Sequence, residues 1–453
     1  MPRLLLMTRC LLVCLLAASA GAADELHPGG AATGSAGPEA LQATAPGLDL
    51  MLGLDAELGR ALFEKLWVPA PTATRASDGL GPLFNARACV NCHPGNGRGH
   101  LPEGGQGFGA VLKLSQPGAD APIPHPVLGS QVQDRAATGL RPEGHMALRF
   151  ERVSVRLEDG TEVALRRPVA EITPAPSDPV TLALRVAPPL VGLGLIEAIP
   201  EAAIRSGADP EDRDGDGISG RAANVSSRAL GQEALGRFGW KAEMATIADQ
   251  SAQAFSHDLG LSTPLYPDPA GDCPTEACRA MPHGEDAGLR DGREVSGAAL
   301  DLVALYLSSR SVPARRDPTA AEVLRGEQVF HEIGCAACHR PGFETGAEAA
   351  RPDLAGQTIW PYSDFLLHDM GPGLADARPG VDAAPGEWRT PPLWGIGLTR
   401  AATGRESYLH DGRAETLLDA VLWHGGEARA ARDRVTALPK ADRAALIRFL
   451  ESL

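Results

Sequence analysis

Apolar positions along this chain change period twice. Around residues 298–309 and again around 442–453 they recur at helical spacing, through Ala304-Leu305-Tyr306-Leu307-Ser308 and Ile447-Arg448-Phe449-Leu450-Glu451-Ser452-Leu453. Each run predicts an amphipathic helix closing one of two units. Each unit also has an opening segment, Gly59-Arg60-Ala61-Leu62-Phe63 in one and Gly326-Glu327-Gln328-Val329-Phe330 in the other. Together they make a loose internal repeat. Between Gly99 and Arg237 the period falls to two. Val153, Val155 and Leu157 alternate, Asp159-Gly160 follows, and Val163 and Leu165 resume the alternation; this predicts a β-hairpin. Leu182, Leu184 and Val186 form another alternating run.

The N-terminus has a different pattern. Arg3 and Arg9, with no acid nearby, precede an apolar run at 11–17, and the small residues Ala18-Ser19-Ala20 and Ala20-Gly21-Ala22 follow. This is the layout of a secretory signal peptide over 1–22. No other run approaches the ~18 consecutive apolar residues of a membrane span. The expectation is an exported, periplasmic chain with no stable membrane insertion. Its parts are a flexible Gly/Pro-rich segment at 23–50, an N-terminal unit at 51–311 with a β-containing insertion at about 100–230, and a C-terminal unit at 312–453. Pro313, Arg315, Arg316 and Pro318 mark the linker between the units.

Composition narrows the picture. The chain has 453 residues and a formal charge of −15, which disfavours nucleic acid as a partner. Aromatic residues are only 4%, too few for large aromatic cores, while 52 Gly and 38 Pro predict many turns and long loops. Of eight cysteines, Cys10 and Cys14 fall in the signal peptide. Cys89-Val90-Asn91-Cys92-His93 and Cys335-Ala336-Ala337-Cys338-His339 both read C-x-x-C-H, the attachment signature of c-type haem. Two thiols add to the vinyl groups of one porphyrin, and the next residue offers its imidazole to the iron. The motifs therefore predict two covalently bound haems, with His93 and His339 as proximal ligands. Planar haems also supply the apolar bulk that aromatic side chains here do not. Cys273 and Cys278 have no following His and predict a small-loop disulfide. The fold expected is mainly α: two cytochrome c-type haem domains, with the β-containing insertion in the first.

With these motifs the chain resembles the bacterial di-haem cytochrome c peroxidase superfamily, and within it the di-haem oxidoreductase family often called putative peroxidases. The resemblance also rests on residues 84–88, 190–200, 236–242, 361–371, 388–394 and 408–413. It implies that one haem stores an electron and the other meets peroxide, with a Trp between them. Trp240 stands at that Trp, and Gln250 and Asp258 stand at the glutamine and acid of the peroxide pocket. The acid is Glu in the peroxidases and lies two residues closer to the glutamine here. A distal carboxylate can carry the proton that peroxide cleavage moves between oxygens. The resemblance also places the second axial ligand of the C-terminal haem at His424, fourteen residues after His410, where the peroxidases have Met. For the N-terminal haem no sixth ligand stands out, and an open site is expected; His100, His257, His368 and Met370 are the alternatives.

Asp212-Arg213-Asp214-Gly215-Asp216-Gly217-Ile218 matches the first half of an EF-hand loop. The bidentate acid of position 12 is missing, because Ala223 stands there. Ca²⁺ is expected either on Asp212, Asp214 and Asp216 or shared with Asn224, which resembles the interdomain calcium ligand of the peroxidases. The function expected is peroxide reduction at the N-terminal haem, with electrons from a small redox protein of cytochrome or cupredoxin type entering at the C-terminal haem. Two other readings stand beside it: long-range oxidation of a protein or organic partner, and a non-enzymatic di-haem electron carrier.

Overall fold

The computed structural model describes residues 26–102 and 109–453. The expected signal peptide, with Cys10 and Cys14, lies outside the described residues. Helix outweighs strand, 30% against 18%, and every sheet among the described residues has two strands. No described helix is long and apolar enough to cross a membrane.

The internal repeat is a repeat of packing. Asp49 caps the helix Leu50–Glu64 by accepting from the N–H groups of Met51 and Leu52. This helix crosses Gly297–Ser308, and the crossing is close because Gly59 has no side chain: a β-carbon there would sit 2.0 Å from the Leu302 carbonyl oxygen. In the second unit Ala321–Glu332 crosses Lys440–Ser452, and a β-carbon at Gly326 would sit 2.0 Å from the Ala445 oxygen. One turn beyond each glycine comes an aromatic pair, Phe63 with Tyr306 at 5.3 Å and Phe330 with Phe449 at 5.2 Å between ring centres. The same phenylalanines lie 6.4 Å from the His93 ring and 6.3 Å from the His339 ring. Each crossing therefore forms a wall beside its C-x-x-C-H motif. Gly326→Ala forces the two backbones apart and is expected to cost about 1–3 kcal/mol, read as a lower thermal midpoint. Gly59→Ala should do the same, and additively, because the two sites share no partner.

The strands appear where the alternation places them. His145–Arg156 and Glu162–Thr173 pair antiparallel, from Arg156 opposite Glu162 to His145 opposite Thr173. Gly160, at φ +86°, makes the turn between them. Ala110–Ser115 pairs with Thr181–Val186. The insertion also holds the short strands Arg135–Ala136 and Asn224–Ser227 and two short helices, Leu193–Ala198 and Glu201–Arg205. The insertion packs on its own N-terminal unit, where Leu83–Phe84 pairs with Arg135–Ala136, and also on the C-terminal one. Glu158 N–H donates to the Thr436 carbonyl at 3.0 Å and Val186 N–H to that of His410 at 2.8 Å, while Asp159 pairs with Arg443. Leu112, Leu114 and Leu184 share one core with Leu417 and Phe449.

The described part of the segment expected to be flexible is packed instead. Ala32, Ala40, Leu41 and Ala45 are buried. Gly34 N–H donates to Val312 O, Ser311 N–H to Ala43 O and Ala45 N–H to Ser309 O, at 2.8 to 3.0 Å. Its small residues allow this contact, since a β-carbon at Gly34 would lie 2.5 Å from Ser311 Oγ. Gly and Ala here serve close approach rather than mobility. Cys273 and Cys278 form the expected disulfide.

Candidate functional site

Each C-x-x-C-H motif forms a tight 3-10 turn, Cys89–Asn91 and Cys335–Ala337. The turn closes through Cys92 N–H to Cys89 O in one and His339 N–H to Cys335 O in the other. All four thiols are free and partly accessible. Burial pushes Cys89, Cys92 and Cys335 up to about 12 and raises Cys338 as well, so they stand as thiols.

The histidines carry the more specific signal. His93 Nδ1 is 2.9 Å from the Pro188 carbonyl and His339 Nδ1 is 2.9 Å from the Tyr362 carbonyl. A carbonyl only accepts, so Nδ1 holds the proton and Nε2 keeps its lone pair for a metal. Burial pushes both rings down to about 4, which keeps them neutral and able to ligate. His424 is built the same way, with Nδ1 2.8 Å from the Ala420 carbonyl and its basicity lowered by burial.

His339 and His424 both line a cavity of about 380 Å³, together with Cys335, Cys338 and Phe330. Ligand and cofactor sites begin at about 300 Å³. Two buried donors in its wall, Arg98 Nε and Trp388 Nε1, have no hydrogen-bond partner among the described residues. Free thiols, neutral imidazoles with unprotonated Nε2, an apolar wall and unpaired donors together fit a haem. Cys335 and Cys338 would hold it, and His339 and His424 would ligate it. At the N-terminal site Cys89, Cys92 and His93 offer the same donor set, walled by Phe63.

Trp240 touches the wall of one site and the segment that holds His93. It lines the C-terminal cavity, and its Nε1–H donates to the Val186 carbonyl at 2.7 Å. Two residues further along that segment, Pro188 holds His93. Residues 186–188 thus touch both the indole and His93. On the cavity side His410 stacks on Trp388 at 3.6 Å and 11°. Burial, with Arg185, Arg413, Lys241 and Arg98 nearby, keeps His410 neutral.

Gln250 and Asp258 are not brought together. They occupy opposite ends of the helix Ile247–Asp258, roughly 12 Å apart at 1.5 Å per residue. Gln250 lies beside Gly239, next to Trp240. The Asp258 carboxylate instead accepts from Gln131 Nε2 at 2.8 Å. Its backbone carbonyl takes the N–H groups of Asn85 and Ala86 at 2.8 and 3.1 Å, docking the helix end on the approach to Cys89. The negative charge of Asp258 reaches Cys89, Cys92 and His93. It also reaches Lys113, which burial pushes down. Gln131 and Lys113 come from the insertion and belong to no motif, and Arg98, although only five residues after His93, belongs to none either; no spacing rule points to them.

The remaining candidates separate by their partners. His368 has both ring nitrogens engaged, Nε2 by Asp364 at 2.8 Å and Nδ1 by Glu427 at 2.7 Å. Burial works against its charge, yet these carboxylates and Cys338 hold it up to about 12. An imidazolium has no lone pair for iron, and His368 sits at the C-terminal site, so it is excluded as a ligand of the N-terminal haem. Met370 lines the C-terminal cavity. His257 Nδ1 contacts the Gln253 carbonyl at 3.2 Å, and its Nε2 is 4.0 Å from Asp272. His100 Nδ1 contacts the carbonyl of Leu101 at 3.3 Å.

Asp212, Asp214 and Asp216 bring carboxylate oxygens within 4.8 Å of one another. Asn224 opens the strand Asn224–Ser227, with its N–H on Asp382 at 2.7 Å. The loop adjoins the C-terminal cavity, where Asp216 and Ile218 form part of the wall. The next residue, Ser219, binds Glu427 through both N–H and Oγ at 3.0 and 2.9 Å.

No curated protein matches the chain. Among solved structures, Kuenenia stuttgartiensis hydrazine synthase pressurised with xenon aligns at 18% identity and a TM-score of 0.24, over 36% of this chain and 57% of that one. The family described as "Di-haem oxidoreductase, putative peroxidase" matches residues 29–453, which span both C-x-x-C-H centres and the wall between them. The chain therefore belongs to this family of di-haem oxidoreductases.

Proposed function

We propose that the protein is an exported c-type di-haem peroxidase: it reduces peroxide at the N-terminal site with electrons that a small redox protein delivers at the C-terminal site. The overall change is H₂O₂ + 2 H⁺ + 2 e⁻ → 2 H₂O. The carrying observation is the asymmetry between the centres. The C-terminal cavity is lined by two imidazoles prepared alike, His339 and His424. His93 is instead accompanied by the carboxylate of Asp258. When bound, haem iron supplies the one-electron and oxygen chemistry that no side chain here can perform.

The chain's own residues supply ligation, proton handling and coupling. His339 and His424 close the C-terminal site against exogenous ligands and reserve it for electron storage. Asp258, held by Gln131, takes the proton from the inner peroxide oxygen and delivers it to the outer one. Trp240 couples the sites through its contact with the segment that holds His93. The leader and the Cys273–Cys278 disulfide support an oxidising compartment outside the cytoplasm. A divalent cation such as Ca²⁺ on Asp212, Asp214 and Asp216 completes the reading, and its hard oxygen ligands suit it.

The test is electron paramagnetic resonance of holoprotein in oxidised and half-reduced states, followed by rapid mixing with hydrogen peroxide. One iron should be reachable by peroxide in at least one redox state. Two six-coordinate low-spin irons in every state, with no peroxide reaction, would leave an electron carrier and overturn the proposal. His424→Met should raise the potential of the C-terminal haem, because thioether favours the ferrous state more than imidazole does. The expected shift is on the order of 100 mV, within the ~0.8 V that axial ligands span, and is measured by redox titration.

A further inference from the structure

The chain that leaves the first C-x-x-C-H motif runs into the other site. Gly99 N–H bonds to the Ala187 carbonyl at 2.9 Å, which fixes the backbone beside the segment that holds His93. Arg98, five residues after His93, sends its guanidinium into the wall of the C-terminal cavity. There it lies 5.0 Å from the centre of the Trp240 ring and 5.9 Å from that of Tyr408.

Arg98 is 7% exposed, and it is poorly provided for. Among the described residues its one side-chain hydrogen bond is a long contact of 3.4 Å to the Leu409 carbonyl, and Nε has no partner. No carboxylate among the described residues pairs with it. The neighbouring cations are each answered. Arg185 pairs with Asp376 and Arg413 with Asp411. Lys241 Nζ donates to the carbonyls of Ala384, Pro385 and Glu387, and Arg389 donates to those of Gly239 and Thr390. Burial without an anion pushes Arg98 down to about 10, so it is still charged at neutral pH. A buried, unpaired guanidinium is costly, and its planar fork matches a carboxylate in two parallel bonds.

We propose that Arg98 is a carboxylate-binding residue in the wall between the two sites, and that it takes a propionate of the haem held by Cys335, Cys338 and His339. A side chain anchored beside the N-terminal motif then sets the charge balance of the C-terminal haem, and the two sites are coupled electrostatically as well as through Trp240. The inference rests on the two-haem reading but not on peroxide as substrate.

The test uses holoprotein with Arg98→Gln and Arg98→Lys. Haem per chain is counted by pyridine haemochrome, and the midpoint potential of each haem is measured by spectroelectrochemistry with assignment by electron paramagnetic resonance. Removing a cation beside a carboxylate-bearing haem favours the ferric state. Arg98→Gln should therefore lower the C-terminal potential and leave the N-terminal one nearly unchanged. Arg98→Lys, which keeps the charge but loses the fork, should fall between. A merely structural role would lower the melting temperature without this selective shift. Equal C-terminal potentials in all three proteins would overturn the proposal. So would a saturable acetate-induced shift in wild type that Arg98→Gln abolishes, because the carboxylate would then be a free ligand. A wild-type count below two haems per chain would instead fail the underlying reading.

Discussion

Replacing Cys335 and Cys338 with alanine is expected to lower covalently bound haem from two per chain to one, measured as pyridine haemochrome and as haem that survives denaturation. The two thiols are the attachment points offered by the 3-10 turn Cys335–Ala337, and no other free thiol of the described residues lies in the C-terminal unit. The loss extends to stability. Without haem the cavity of about 380 Å³ leaves the apolar wall around Phe330, Leu446 and Leu450 unpacked, and unfilled apolar volume destabilises a core. The C-terminal unit should therefore become sensitive to protease in the variant. Cys273→Ala with Cys278→Ala is the matched control. That change removes the disulfide but no haem attachment, so the count should stay at two. Retention of two haems after loss of Cys335 and Cys338 would refute the assignment.

Asp258→Asn is expected to lower peroxide turnover by about 10²–10⁴-fold, the range typical of a positioned general acid–base group, with both haems retained. Asparagine keeps the shape of the side chain and can still bond to Gln131, but it cannot accept and return a proton. Gln250→Leu is expected to have a far smaller effect on turnover, since Gln250 lies beside Gly239 at the far end of the helix from Asp258. If the two variants lose equal activity, or if only Gln250→Leu does, the placement of the acid fails. Steady-state kinetics alongside haem spectra separate these outcomes from loss of cofactor.

Much of the architecture was legible because it is local. The C-x-x-C-H motifs, the helix-period runs that close each unit and the hairpin around Asp159-Gly160 depend on neighbours a few residues apart, and all appear in the fold as the spacing predicts. The repeat was legible too, although its physical content was not. Gly59 and Gly326 read as parts of similar pentapeptides; the structure shows that each removes a side chain where two helices cross. Composition misled at 26–49, where small residues read as flexibility but permit backbone contact with 309–312. The resemblance assigned Gln250 and Asp258 to the peroxide pocket, and the structure places them eight residues apart on the helix Ile247–Asp258. The partner of the Asp258 carboxylate is Gln131 from the insertion, which no spacing within that helix indicates.

By itself the sequence determined the two C-x-x-C-H motifs, the disulfide, the helices that close each unit and the hairpin of the insertion, because cysteine pairing in a small loop and short-range periodicity need only nearby residues. The tertiary structure alone decided which distant side chains meet at those centres. It placed the insertion against the C-terminal unit, set Trp240 on the segment that holds His93, confined His368 between two carboxylates and buried Arg98 without an anion. These are consequences of burial, since the cost of an unpaired charge or the neutrality of an imidazole depends on what surrounds it in space, and that neighbourhood is assembled from separate segments of the chain, as Arg98, Trp240 and Leu409 show.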